Sequence, residues 1–147
     1  CWGPSLFWEV PKGSKLDSKF HNMIKGAEND ILIILKEPEI YLLIEEQLVK
    51  IRQKIKVTII VPKDLIHLEH KFHLYEINDE LKDYLDHIED SFGSPFPAPE
   101  MAFMMLIDGK KAVVIIKKSQ DLMMGISYDS VFIYTQKKLI EMLTPDI

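Results

Sequence analysis

The sequence predicts an α/β domain built on a mixed, mainly parallel sheet that is flanked by helices. Two apolar, β-branched runs without polar alternation, residues 31–35 and 57–61, are typical of strands covered on both faces. Between them, Ile40, Ile44 and Leu48 recur at helical spacing. A strand, a helix and a second strand joined by short connections favour parallel pairing through a right-handed crossover.

The sequence predicts a linker over residues 1–14 and a single domain over residues 15–147. Within the linker, residues 6–10 predict a short extended segment. A short amphipathic helix begins at Leu16, and Gly26 lies near its end. Pro38 suits the first turn of the crossover helix, which the apolar stripe extends to about Lys54.

The second half predicts one more helix, a loop, a group of strands and a last helix. Asn78 opens a helix through Ile88, and the prolines of residues 91–99 predict a loop. Strands are expected at residues 101–108, 111–117, 122–128 and 131–136, followed by a helix over residues 137–144.

Composition excludes several classes of function for this stretch of chain. The 147 residues carry 18 Lys+Arg against 23 Asp+Glu, a formal charge of −5, and Arg52 is the only arginine, so a sequence-independent grip on phosphates is disfavoured. The longest apolar runs are strand-sized and too short for a bilayer crossing. A single cysteine and the lack of a signal region favour a cytoplasmic protein. Because the chain begins with Cys1, we expect a fragment of a longer protein.

Three histidines in the middle of the chain offer the clearest alternative chemistry. His67, His70 and His73, with Glu69 between them, carry donors that suit zinc or another divalent metal. The spacing lacks the usual i, i+4 pair of helical metal sites, and a strand would point His67 and His70 to opposite faces. We therefore expect a solvated surface segment and no metal or cofactor, and keep a metal site as the alternative.

Other catalytic signatures do not occur in the sequence. It has no nucleophile elbow, phosphate-binding glycine loop, CxxC pair or dinucleotide fingerprint. Five methionines fall on predicted strands, where they indicate core packing or, alternatively, a plastic apolar ligand pocket. They are Met101, Met104, Met105, Met123 and Met124.

Several segments together resemble the middle domain of the TrmB-type archaeal transcriptional regulators. The matching features are the aromatic lead-in FWEV at residues 7–10, the helix end carrying Met23 and Ala27, the strand and turn LIDGK at residues 106–110, and FIYT at residues 132–135. The glycine that the family places before its second strand is missing at residues 53–57. The resemblance covers about residues 6–144 and is weakest between residues 63 and 100.

The resemblance implies a fold similar to one half of the phospholipase D superfamily, whose active halves carry His-x-Lys-x-x-x-x-Asp on a strand. Placed on Asp108, that pattern puts its histidine at the position of Met101 and its lysine at that of Phe103. A thioether and a phenyl ring supply neither the nucleophile nor the positive charge of that chemistry. We therefore predict that the chain is not an enzyme, and that Asp108 accepts hydrogen bonds at the turn into Gly109 and Lys110.

The same resemblance implies an effector-sensing and dimerisation domain of a regulator. It implies a homodimer, and DNA contact only through an N-terminal winged-helix domain that this chain lacks. Ligand contacts are expected at Asp108, Ser127, Tyr134 and Thr135. The alternatives are a metal-dependent or phospholipase-D-like hydrolase that uses the three histidines, and a scaffold that dimerises without an effector.

Overall fold

A computed structural model describes residues 6–9, 16–91 and 99–147 of the chain. It contains four α-helices and seven strands within those residues. The helices are α1 (Leu16–Lys25), α2 (Pro38–Ile51), α3 (Asp79–Asp90) and α4 (Ser130–Met142). The strands are β1 (Leu6–Glu9), β2 (Asp30–Leu35), β3 (Lys56–Val61), β4 (Leu74–Glu76), β5 (Glu100–Ile107), β6 (Lys111–Lys118) and β7 (Asp121–Ser127).

The strands form one mixed sheet in the order β1-β7-β6-β5-β2-β3-β4. The crossover pair β2–β3 is parallel, as predicted, and so is β3–β4. The other four pairings in the described residues are antiparallel. The mixed α/β sheet is therefore confirmed, but its mainly parallel character was wrong, because β5, β6 and β7 follow one another as antiparallel neighbours on one side of β2.

Helices cover both faces of the sheet and create two hydrophobic cores. The first core lies under α1 and α2 and includes Phe20 and Ile44, whereas the second lies under α3 and α4 and includes Leu85 and Ile140. Strand β2 alternates between them: Ile31, Ile33 and Leu35 face the first core, and Leu32 and Ile34 face the second. This two-sided burial explains why β2 reads as an uninterrupted apolar run.

The strand predicted at residues 131–136 is wrong, because these residues form the first half of α4. Asp129 caps the helix by accepting the backbone N–H of Phe132 at 3.1 Å. Ile133, Gln136 and Ile140 are the buried residues of the helix, and their spacing of three and four places them on one face. Packing of that face overrides the high strand propensity of the apolar run.

The middle of the chain differs from the prediction in two places. A 3-10 helix, Lys63–Leu68, and the short strand β4 were not predicted. Helix α3 is confirmed, and Asn78 caps it by accepting the N–H of Leu81 at 2.8 Å. The segment predicted to be extended forms β1, which pairs with β7. The rest of the linker and most of the predicted loop lie outside the described residues.

No helix within the described ranges is both long and apolar enough to span a bilayer.

Candidate functional site

Strand β5 carries the positions that the sequence analysis singled out, and its pairing with β6 is irregular there. Met101 pairs with Ile116 and Phe103 pairs with Ile115, so Ala102 is an extra residue on β5. Such a bulge breaks the alternation of side chains along a strand. As a result, Met101 lies in the core under α3 and α4, whereas Phe103 lies in the core under α1 and α2.

Both side chains are buried in those cores. Phe103 is fully buried, and its ring meets Phe20 edge to face with the centroids 5.3 Å apart. Met101 is 1% exposed. Residues two apart on a regular strand share a face, as a histidine and a lysine acting on one phosphate must. In this chain the two positions cannot face a common ligand.

Met101 borders a charged cavity at the end of β2 and the start of β5, which the sequence analysis missed. The cavity has a volume of about 290 Å³. Lys36 and Glu89 form an ion pair in its wall with Nζ and Oε1 2.7 Å apart, and the same Oε1 accepts the backbone N–H of Met101 at 3.3 Å. Glu89 thereby ties α3 to β2 and β5. In the sequence, Glu89 belongs to a run of carboxylates over residues 79–90 that alternates with an apolar stripe, a pattern that indicates only the water-facing side of a helix.

Asp108 lies at the opposite end of β5 and binds a different partner from the one predicted. Its carboxylate accepts the backbone N–H groups of Glu28 at 3.0 Å, Asn29 at 2.7 Å and Asp30 at 3.1 Å. The expected contact within its own turn is therefore corrected: Asp108 holds the segment that enters β2. Its φ of 57° is left-handed, a conformation that Asp tolerates better than most residues.

These contacts shift the acidity of the Asp108 carboxyl. Partial burial opposes its ionisation, but the backbone N–H groups of Asn29, Glu28 and Asp30 together outweigh burial. The pKa of Asp108 therefore lies below its usual value. The ionised carboxylate is part of the folded structure at neutral pH.

An ion pair fastens α4 to the same end of the sheet. Lys137 on α4 binds Asp30 at the start of β2, and the two side chains are only 14% and 23% exposed. Burial lowers the pKa of Lys137, but the hydrogen bond and the charge of Asp30 outweigh it and raise the pKa above its usual value. Asp30 thus joins Asp108 through its backbone and α4 through its side chain.

Tyr134 lies close to the turn that Asp108 begins. Gly109 follows Asp108 with a φ of 64°, and a Cβ at that glycine would lie 3.6 Å from Cδ1 of the Tyr134 ring. The ring is 53% exposed, and the Lys138 ammonium lies 5.2 Å from its centroid. Tyr134, one of the four predicted ligand contacts, therefore lies beside the turn that follows Asp108, whereas the Asp108 carboxylate binds the backbone of residues 28–30.

The other two predicted contacts use their hydroxyl groups locally. Ser127 is buried, and its Oγ accepts the backbone N–H of Asp129 at 3.3 Å. Thr135 is exposed on α4, and its Oγ1 donates to the carbonyl of Val131 at 2.8 Å. Of these two residues, only Thr135 lies on the exposed surface, next to Tyr134 in the sequence. Ser127 is buried and supports the start of α4.

The three histidines are exposed, and two of them contact separate partners. His67 Nδ1 lies 2.8 Å from the carbonyl of Asp64, and His73 Nδ1 lies 3.1 Å from Oε2 of Glu69. Across the described residues, no group of three or more His, Cys, Asp or Glu side chains is arranged to hold a metal ion. The metal-dependent alternative therefore finds no ligand set in this part of the chain.

Comparison with known proteins rests on structure, since neither a family model nor a curated protein matches the sequence. TrmBL2, an archaeal chromatin protein whose structure shows a novel mode of DNA binding, superposes with a TM-score of 0.57 and 18% identity over 95% of this chain. The match covers 52% of TrmBL2, so the chain spans about half of its length.

Two further structures match nearly end to end. NucT from Helicobacter pylori has a TM-score of 0.58 and 13% identity over 95% of this chain and 94% of its own. Nuc from Salmonella typhimurium, a phospholipase D family member, has a TM-score of 0.54 and 10% identity over 93% of this chain and 91% of its own.

These neighbours contradict the prediction that the chain is not an enzyme. That prediction rested on two side chains of β5, and apolar groups at these positions exclude one mechanism but not a reaction that uses other residues. The chain shares its fold with Nuc, from an enzyme family, as well as with a DNA-binding chromatin protein. The phospholipase-D-like α/β fold that the resemblance implied is confirmed.

Proposed function

We propose that this chain is the effector-sensing and dimerisation domain of a TrmB-like regulator that binds DNA. The observation that carries the proposal is the superposition of nearly the whole chain on about half of TrmBL2. A domain of this size within a DNA-binding protein leaves the other half of such a protein to contact DNA.

The charge of the chain supports this division of labour. With a formal charge of −5 and a single arginine, the domain is poorly suited to hold a phosphate backbone by itself. We infer that DNA contact belongs to a winged-helix domain elsewhere in a longer protein. This domain would then contribute pairing of two copies and the response to a small molecule.

The exposed surface at the start of α4 supports self-association. Tyr128 and Val131 are large apolar side chains three residues apart, and they are 70% and 77% exposed. A surface patch of this kind favours contact with another protein surface over contact with water. A second copy of the same domain, paired about a two-fold axis, would cover both patches at once.

We place the effector beside the same helix. Tyr134 offers an exposed ring and Thr135 an exposed hydroxyl, while Asp108 and Ser127 hold the backbone on which they depend. An aromatic face next to hydroxyl and lysine groups suits a small polar molecule such as a sugar or nucleotide.

Denaturant unfolding in the presence of candidate sugars and nucleotides tests the sensing function. A ligand at 100 times its Kd should raise the free energy of unfolding by about 2.7 kcal/mol. Tyr134→Ala should abolish the increase, whereas Tyr75→Phe, a change on β4, should leave it intact. If none of the sugars or nucleotides stabilises the protein, the scaffold alternative is favoured instead.

A phosphodiesterase is the second candidate, favoured by the near-complete superposition on Nuc and NucT. In the cavity beside Met101, Lys36 is paired with Glu89, and it would have to leave that carboxylate in order to offset charge on a phosphoryl oxygen. Turnover of bis(p-nitrophenyl) phosphate that Lys36→Met abolishes and Lys63→Met preserves would support this candidate.

A further inference from the structure

A second surface, on the far side of the sheet from α4, has the properties of a ligand site. A groove between α1 and α2 contains a cavity of about 350 Å³. Lys25, at the end of α1, and Lys50 and Lys54, at and beyond the end of α2, line it together with His21. No carboxylate lines this cavity.

The three lysines are poorly neutralised by the protein itself. Lys25 and Lys54 form no ion pair with a carboxylate in the described ranges. Lys50 lies 3.5 Å from Glu46, and both side chains are mostly exposed, so that pair contributes little. Like charges that lie close together on one surface repel one another. An anion bound among the three lysines would reduce this repulsion. Their grouping is notable in a chain whose formal charge is −5.

Complementing the helix dipoles explains part of this pattern. Lys25 and Lys50 lie in the last turns of α1 and α2, where a cation favours the free carbonyl groups. Lys54 lies beyond the end of α2, and His21 precedes the last turn of α1. The helix dipoles therefore do not explain why Lys54 and His21 line the same cavity as Lys25 and Lys50.

The remaining lining of the groove suits an organic body attached to the anion. Ile24, which is buried, and the partly buried Ile51 supply an apolar floor. His21 and Gln47 also line an adjoining cavity of about 480 Å³, to which Asn22 contributes its amide. The groove thus passes from a cationic end to an end lined by Asn22, Gln47 and Glu46, whose side chains can hydrogen-bond to hydroxyl groups. Its volume lies in the range of small-molecule sites.

We propose that the groove between α1 and α2 binds a small organic anion. Its phosphate or carboxylate group lies among Lys25, Lys50 and Lys54, and a hydroxylated body lies along Gln47 and Asn22. This site is distinct from the surface beside Tyr134, and binding there does not depend on the proposed regulatory function.

Amide-resolved NMR titration of the whole 147-residue chain tests the proposal. The probes are ribose 5-phosphate and citrate, with neutral ribose as the matched control for the phosphate. Ribose 5-phosphate should shift the amide signals of residues 21–26 and 47–55 in a saturable way, and ribose should not. The double variant Lys25→Ala/Lys54→Ala should weaken binding at least about tenfold, which corresponds to 1.4 kcal/mol. Lys63→Ala, which removes an exposed lysine outside the groove, should bind as the wild type does.

Three results would overturn the proposal. The first is the lack of a saturable shift with either anion at about 10 mM, ten times a Kd of about 1 mM. The second is an equal loss of binding in Lys63→Ala and in the double variant. The third is tighter binding of a short DNA duplex to the same lysines, which would make the surface a backbone contact. Because the readout involves neither dimerisation nor a regulated promoter, its failure would leave the proposed function standing.

Discussion

Met101 and Phe103 lie two residues apart on β5 and pack into cores on opposite faces of the sheet. The bulge at Ala102 causes this separation by adding one residue to β5 between the pairs with Ile116 and Ile115. Apolar side chains at these two positions are therefore accompanied by an irregular backbone between them. A histidine and a lysine placed at positions 101 and 103 by substitution would lie on opposite faces of the sheet and would not act together on one phosphate.

Phe103→Lys should destabilise the domain strongly. It removes a fully buried ring and places an ammonium group in the core beside Phe20, so we expect a loss of at least about 4 kcal/mol in the free energy of unfolding. Phe103→Leu, the control, should cost only about 1–2 kcal/mol. Urea unfolding measures both. A Lys variant as stable as the Leu variant would show that position 103 reaches water.

Asp108→Ala should lower the free energy of unfolding by about 1–2 kcal/mol, because three backbone N–H groups lose their acceptor while water reaches part of the site. Asp108→Asn retains an acceptor oxygen and tolerates the left-handed backbone, so it should cost less. Thermal unfolding of both variants checks this order. Equal losses would mean that the charge alone, rather than the acceptor, matters.

The stability contributed by the Asp108 charge should depend on pH in a defined direction. Its pKa is lower in the folded than in the unfolded protein, so the unfolded chain binds more protons near pH 4. The contribution is complete above about pH 5 and is lost as the pH falls through the folded pKa. The difference in stability between wild type and Asp108→Asn should therefore be constant from neutral pH to about pH 5 and shrink below it. A difference that grows on acidification would contradict the assignment.

Lys137 and Asp30 should be energetically coupled. Lys137→Met leaves a largely buried carboxylate without its cation, and Asp30→Asn leaves the ammonium without its anion, so each should cost about 1–3 kcal/mol. The double variant removes both charges, and we expect it to be more stable than the sum of the two losses predicts, by at least about 0.5 kcal/mol. Additive losses in this double-mutant cycle would show that the pair contributes nothing.

The elements that could be predicted from the sequence are those whose apolar residues follow a single pattern, either an uninterrupted run or a helical repeat. Strands β2 and β3 and helix α2 combine an uninterrupted or helical pattern with clear boundaries, and all three are confirmed. The prediction for the first half of α4 was wrong because Val131, Phe132 and Ile133 have high strand propensity. The helical pattern of buried residues, Ile133, Gln136 and Ile140, includes a glutamine, which a search for apolar residues at helical spacing does not count.

The candidate sites depended more on long-range geometry. The bulge at Ala102 leaves no mark in the sequence, so the opposite orientation of Met101 and Phe103 could not be predicted. The partner of Asp108 lies about 80 residues earlier in the chain, and a turn motif predicts only local hydrogen bonds. The three lysines of the α1–α2 groove come from two helices, and only their packing brings them together.

Sedimentation equilibrium of the chain tests most directly whether this domain pairs with a second copy. The account predicts a mass of about twice 17.1 kDa for the wild type, and a single mass near 17.1 kDa for Val131→Glu with unchanged circular dichroism. Leu42→Glu, which alters an equally exposed side chain on α2, should remain dimeric. A wild-type mass of 17.1 kDa at every concentration would contradict the account.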